Sequence, residues 1–131
     1  MRQIIAMGGG GFSMEPENAL LDKYILNQTE NEKPRICFIP TASGDSDHYI
    51  SRFYQFFKEQ PCEPSHLSLF NPPTRNLEGY ILEKDILYVG GGNTKNMLAL
   101  WKEWGLDYIL KKSVGAGSCI SGSKRGCYLL V

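Results

Sequence analysis

The chain alternates short runs of consecutive hydrophobic residues with stretches in which hydrophobic residues recur every three or four positions. Uninterrupted apolar runs of this length predict strands that are buried on both faces of a sheet. The strong runs cover residues 3–7, 36–39 and 85–89, and a weaker one covers residues 65–69. Each strong run ends in a loop of glycine or small polar residues, so the strands are expected to lead directly into turns.

Between these runs the hydrophobic residues follow helical spacing, which predicts amphipathic helices. Asp45 or Ser46 is placed to cap the second helix, and Gly105 is expected to end the third. The inward faces predicted for the successive helices are Leu20, Leu21, Tyr24 and Ile25; Tyr49, Ile50, Phe53 and Phe57; Met97, Leu98, Trp101 and Trp104; and Leu106, Ile109 and Leu110. Alternating strands and helices predict a three-layer α/β domain with a mostly parallel sheet.

Composition narrows the class of protein further. A chain of 131 residues is the size of one domain. Its 14 basic and 14 acidic residues cancel, so no overall field attracts nucleic acid or an anionic membrane. No apolar run has the length of a membrane span, and glycines follow the first strand too early for a secretory signal. We therefore expect a cytoplasmic protein with neither nucleic-acid nor membrane partners.

The cysteines and histidines do not predict a metal site or a cofactor. The four cysteines, at positions 37, 62, 119 and 127, form no CxxC pair, and the two histidines have no partner at ligand spacing. Cys37 lies inside an apolar run, which favours a buried and inert thiol.

Three loops follow the predicted strands, at residues 8–11, 41–45 and 90–93. In a parallel α/β sheet these loops lie at the carboxyl ends of the strands, where ligands bind. Their glycines allow backbone N–H groups to approach an anion or a developing oxyanion, although tight turns alone would also explain them. Neither glycine run matches a Rossmann fingerprint or a P-loop, so nucleotide binding is a weak interpretation.

The loop sequences GGGGF at residues 8–12, PTASGD at 40–45 and YVGGGNT at 88–94 resemble those of peptidase E-like serine peptidases. This is the group of dipeptidase E and cyanophycinase, and the resemblance covers residues 1–112. It implies a fold like that of class I glutamine amidotransferases (flavodoxin-like) and hydrolysis of dipeptides with N-terminal aspartate or related acidic peptides. By the same resemblance Gly91 and Gly92 supply the oxyanion hole and Asn93 shapes that loop. Gly9 and Gly10 belong to a second substrate loop.

The remainder, residues 113–131, departs from the family pattern. The family places its nucleophilic serine on a sharp turn in a motif resembling G-x-S-A-G-A, after a further strand, with a histidine downstream. This tail has no apolar strand, no serine with glycines at both −2 and +2, and no histidine. We therefore divide the chain into a family-like domain at 1–112, incomplete at its C-terminal side, and an atypical tail at 113–131. No catalytic residue is assigned, and the chain is expected to be inactive by itself.

We consider the hypothesis that the tail is encoded in a shifted reading frame. Residues Lys111, Lys112 and Ser113 can be encoded by AAA AAA AGT. Removing one adenine allows the following codons to read V-W-E-Q-G-V-V-L-A-G-V-S-A-G-A-I-C-W, which contains an apolar strand and the S-A-G-A elbow. The serine codon of that frame spans Lys124 and Arg125. Truncation by such a slip is our hypothesis for the tail.

A chain without the nucleophile strand would leave the strand at 85–89 unpaired on one side. We therefore expect a homodimer or larger assembly through this sheet edge or through the tail, or residues 127–131 acting as a substitute strand. Two other functions remain open. One is a non-catalytic, self-associating module that binds a small anion. The other is an amidotransferase-like relative with Cys119 as nucleophile, which we disfavour because no histidine accompanies it.

Overall fold

The computed structural model describes residues 3–7, 12, 17–116 and 119–123. Within these ranges the strands are β1 (Gln3–Met7), β2 (Arg35–Ile39), β3 (Glu63–His66), β4 (Ile86–Val89) and β5 (Cys119–Ser123). The helices are α1 (Leu20–Leu26), α2 (Asp47–Phe57), α3 (Leu77–Leu82), α4 (Thr94–Trp104) and α5 (Leu106–Gly115), with a 3₁₀ turn at Thr41–Ser43.

The strands form one sheet in the order β1-β5-β4-β2-β3, and every neighbouring pair is parallel. The register pairs Ile36 with Ile86 and Val89 with Gly122. All strands therefore end at the same edge, and the loops that follow them meet there. The predicted parallel α/β architecture is confirmed.

Alternate residues of the central strands face two separate cores, as the two-residue period of a strand requires. Ile36, Phe38, Ile86 and Tyr88 pack against α1 and α2. On the other face, Cys37, Ile39, Leu87 and Val89 pack against helices α3, α4 and α5. The sheet is thus the middle of three layers, and Cys37 is buried as predicted.

Capping residues fix where the helices begin and end. Ser46 accepts a hydrogen bond from Tyr49 N and so caps α2, which decides between the two predicted candidates. Asn93 caps α4 by accepting from Asn96 N. Gly105, with a φ of 70°, ends α4 in the left-handed conformation that a glycine adopts without strain.

The predicted inward face of α1 is wrong. Leu20, Leu21 and Tyr24 are exposed, whereas the core contains Ile25 and Leu26 together with a carboxylate, Asp22. The helix is short and largely apolar, so its spacing does not select one face. Burial of Ile25 and Leu26 in the core cluster that contains Tyr88 orients the helix. Asp22 lies one turn earlier on the same face, where it accepts a hydrogen bond from the Tyr88 hydroxyl.

The expectation that β4 lacks a neighbour is also wrong. β5 lies between β4 and β1, pairing with β1 over Cys119–Ser123 and with β4 over residues 119–122. The tail was predicted to contain no strand because C-I-S-G-S is not apolar, yet a gap between two parallel strands satisfies the backbone of any segment that fits it. Residues 127–131 lie outside the described part of the chain. Self-association stays a prediction, now without an open β4 edge to support it.

Three smaller predictions differ from the structure. β3 lies at Glu63–His66, two residues earlier than expected, and the connector before β4 contains helix α3. Trp104 is 45% exposed rather than buried, because it comes in the last turn of α4 after the helix has passed its core contact at Trp101. Among the described helices, none is long and apolar enough to cross a membrane.

Candidate active site at the carboxyl edge of the sheet

Two of the loops predicted to carry chemistry are hydrogen-bonded to each other. Gly90 N donates to Ile39 O at 3.0 Å, and Asn93 N donates to Ala42 O at 2.7 Å. Gly92 has a φ of 146°, and a Cβ at this position would stand 2.2 Å from Ala42 O. The backbone of the 90–93 loop therefore packs against the 41–45 loop in a contact that only a glycine at position 92 permits.

The backbone N–H groups of the 90–93 loop differ in what they bind. Gly91 N donates to the Tyr49 hydroxyl over a long distance of 3.4 Å. Asn93 N is used by Ala42, and the Asn93 side chain is used by the α4 cap. Within the described residues, the Gly92 N–H has no acceptor. Gly91 and Gly92 are both exposed, so these two N–H groups are the ones that an incoming oxyanion can reach.

Tyr49 holds this loop from the side of α2. Its ring lies 4.8 Å from the ring of Phe38 and 5.7 Å from that of Phe12, measured between centroids. A Cβ on Gly90 would come within 3.1 Å of the Tyr49 ring and 3.0 Å of Phe38. From the sequence, Tyr49 was predicted only as part of the inward face of a helix. Its hydroxyl, which can bond a neighbouring backbone group, was the one feature of the sequence that could have indicated this contact.

Asp45 fixes a third segment at the same edge. Its Oδ2 accepts three hydrogen bonds, from Ser68 Oγ at 2.7 Å, Leu69 N at 3.1 Å and Phe70 N at 3.2 Å. To reach them the backbone of Asp45 adopts a φ of 55°, which is uncommon for a residue other than glycine. The sequence showed Asp45 as a possible helix cap, but it instead joins the 41–45 loop to the end of β3.

The carboxyl end of β5 lies at the same sheet edge as the 90–93 loop. Gly122 is in register with Val89, the residue that directly precedes this loop. Ser121 and Ser123 lie in β5, and Ser118 lies outside the described residues. Gly9 and Gly10, which were predicted to form part of the substrate loops, also lie outside them.

The other candidate groups lie elsewhere. Cys119 begins β5 in register with Ile86, at the sheet edge opposite to the loops. His66 Nδ1 hydrogen-bonds the Tyr54 hydroxyl at 2.7 Å, and burial lowers the pKa of this histidine. It lies on β3, three strands or about 14 Å from β5. His48 is exposed on α2. Cys119 therefore lies at the wrong end of β5, and His66 is separated from β5 by two intervening strands.

Comparison with known proteins shows which family the chain resembles. The chain spans about half the length of the curated relative and of the solved structure described here. The uncharacterized peptidase YgaJ of Bacillus subtilis (strain 168) is 61% identical over 126 residues, which are 96% of this chain and 55% of that protein. The crystal structure of a candidate peptidase E protein from Listeria monocytogenes EGD-e has a TM-score of 0.68 at 19% identity. It covers 94% of this chain and 57% of the other, and it shows the same flavodoxin-like fold.

The match to the family itself includes both glycine loops and most of the tail. Peptidase family S51 is matched over residues 4–129, which extends beyond the 1–112 region where the resemblance was read. Because that match spans nearly the whole chain, the chain belongs to peptidase family S51.

Proposed function

We propose that this chain represents a serine peptidase that hydrolyses Asp-X dipeptides or related small acidic peptides. Its family membership and a relative named as a peptidase support the hydrolase class. The observation that carries the finer proposal is the register of β5 beside β4, in which Gly122 pairs with Val89, the residue before the 90–93 loop. This puts the end of the fifth strand next to unused backbone donors, where a nucleophile and an oxyanion hole need to be adjacent.

In this proposal the exposed N–H groups of Gly91 and Gly92 stabilise the oxyanion. Gly92 N–H is free of described acceptors, and the long bond from Gly91 N to Tyr49 is weak enough for a substrate oxygen to replace it. Asn93 has a positioning role, because its backbone and side chain hold the loop against Ala42 and α4.

The nucleophile comes from the shifted reading frame. Across the codons of Cys119–Ser123 that frame reads V-L-A-G-V, and its serine follows directly. An apolar sequence suits a strand enclosed by β1 and β4 better than C-I-S-G-S does. The serine would then leave β5 beside Gly90 and Gly91, as a nucleophile elbow requires.

The 131-residue chain itself is proposed to be catalytically incomplete. Neither a serine on an elbow nor a histidine after it is present in its sequence. Without nucleophile and base, the oxyanion donors leave at most residual catalysis.

Sequencing the coding DNA across Lys111–Ser113 is the first test, and we expect a run of adenines there. Both the 131-residue chain and a chain with one adenine removed are then treated with a fluorophosphonate and assayed on Asp-Leu. We expect labelling and hydrolysis only after removal of the adenine, both abolished when the serine of S-A-G-A is changed to alanine.

Two results would contradict the proposal separately. If the DNA has no adenine run, the reading-frame explanation fails. If the 131-residue chain is labelled and Ser118→Ala, Ser121→Ala or Ser123→Ala removes that labelling, its proposed inactivity is wrong.

A further inference from the structure

A small pocket opens beside the candidate active site, between the 41–45 loop, the start of α4 and the segment after β3. Its volume is about 340 Å³, near the lower end of the range for small-ligand sites. Ala42 and Gly44 form one side, Phe70 another, and Asn96, Ala99 and Leu100 of α4 the third. Ala42 also accepts the hydrogen bond from Asn93, so the pocket adjoins the 90–93 loop directly.

Hydrogen bonds to neighbouring residues fix the walls of this pocket. Thr41, which also lines it, is buried and accepts a hydrogen bond from Trp101 Nε1 at 3.0 Å. Phe70 N donates to the Asp45 carboxylate, which binds Leu69 N and Ser68 as well. The pocket is therefore preformed, and a ligand would not have to order these walls on binding.

The side chains that line the pocket indicate which class of ligand it can bind. None of the described residues that line the pocket carries an ionisable side chain. Phe70 presents its ring to solvent with 60% of its surface exposed. Contact with an apolar group of a ligand would bury part of this ring, which is favourable because it removes apolar surface from water. A carboxylate would find no cation here, so the aspartate of an acidic peptide does not fit.

We propose that this pocket binds the apolar side chain of the residue that follows aspartate in a dipeptide substrate. The inference rests on the proposed function, because it takes the bound molecule to be a peptide held at the 90–93 loop. It adds that the second residue is selected, with leucine-sized side chains preferred over glycine, and that Phe70 is a specificity-determining residue.

The test uses the 131-residue chain, which is proposed not to hydrolyse its ligand. Asp-Leu, Asp-Gly and Ser-Leu are each titrated into ¹⁵N-labelled protein, and backbone amide shifts are followed. We expect Asp-Leu to bind at least ~5-fold more tightly than Asp-Gly, with shifts at Gly44, Phe70 and Leu100. Phe70→Ala should reduce this difference to less than ~2-fold. Ala99→Leu, which fills the pocket from α4, should do the same.

Tyr108→Ala is the matched control, since Tyr108 is 68% exposed and does not line the pocket. It should leave the preference for leucine unchanged. Equal binding of Asp-Leu and Asp-Gly, or a preference that survives both pocket variants, overturns this inference alone. Equal binding of Asp-Leu and Ser-Leu, with the leucine preference intact, contradicts the acidic-peptide proposal but not the pocket. Failure of all three dipeptides to bind contradicts both.

Discussion

The Tyr88 hydroxyl donates a hydrogen bond to Oδ1 of Asp22 at 3.3 Å, which joins α1 to the middle of the sheet. Asp22 is fully buried, and among the described residues its Oδ2 has no hydrogen-bond partner. Burial raises the pKa of this carboxyl from 3.8 to about 6, although the bond from Tyr88 acts in the opposite direction. Desolvation therefore outweighs the single hydrogen bond.

This pair predicts a stability that depends on pH. Asp22 in the unfolded chain ionises near pH 4, while in the folded chain its pKa is about 6. The folded state binds more protons between these values, so its stability should fall as pH rises from about 4 and level off above about 6. Asp22→Asn should raise the free energy of unfolding at pH 7 by about 1–3 kcal/mol. Urea denaturation at pH 4.5 and 7 measures this, and an equal effect at both pH values would contradict it.

The close contact between the 90–93 loop and Ala42 predicts that alanine substitutions at adjacent glycines differ sharply in their effect on stability. Gly92→Ala would force a Cβ to within 2.2 Å of Ala42 O at a φ of 146°. It should cost about 2–4 kcal/mol of stability, because backbone meets backbone and neither moves cheaply. Gly91→Ala is the control, since a Cβ there has no atom within 4 Å. Thermal unfolding of the two variants distinguishes them, and similar melting temperatures would show that the loop is not held by Ala42.

The structure of a segment can be predicted from sequence when its residue pattern is compatible with only one arrangement. Ile36–Ile39 and Ile86–Val89 are buried at every position, so an uninterrupted apolar run defined them correctly. α1 has apolar residues on most sides, and its burial of Ile25 and Leu26 against residues remote in sequence also turns Asp22 inward. β5 was missed for a related reason. Its place is created by β1 and β4, whose separation is a property of the sheet and not of the tail.

In the candidate site, too, some features could be predicted from sequence and others could not. The meeting of the 41–45 and 90–93 loops follows from strand order, because both loops leave parallel strands at one edge. The contacts of Asp45 could not be predicted because they depend on where the segment after β3 lies. Those of Tyr49 depend on how α2 is rotated against the sheet. Sequence therefore identified the glycines of the site but not the side chains that hold them.

The three bonds to Asp45 predict that its charge organises the segment after β3. Asp45→Ala removes the acceptor for Ser68, Leu69 and Phe70 and should cost about 1–3 kcal/mol. Asp45→Asn retains one acceptor oxygen and tolerates a φ of 55°, so its cost should be smaller. Hydrogen exchange at the Leu69 and Phe70 amides, compared between the variants, gives the measurement. Unchanged protection in Asp45→Ala would show that these bonds do not hold the segment.

The same substitution is predicted to affect stability strongly at one tryptophan and weakly at the other. Trp101 is fully buried and donates from Nε1 to Thr41 Oγ1 at 3.0 Å, so Trp101→Phe removes that bond and opens space beneath the 41–45 loop. We expect a loss of about 1–3 kcal/mol in urea unfolding. Trp104→Phe, at a position with 45% exposure, should change stability by less than about 0.5 kcal/mol. Because Thr41 lines the pocket beside Phe70, Trp101→Phe should also weaken Asp-Leu binding. A loss of stability without any change in the affinity for Asp-Leu would show that Trp101 supports the core but not the pocket.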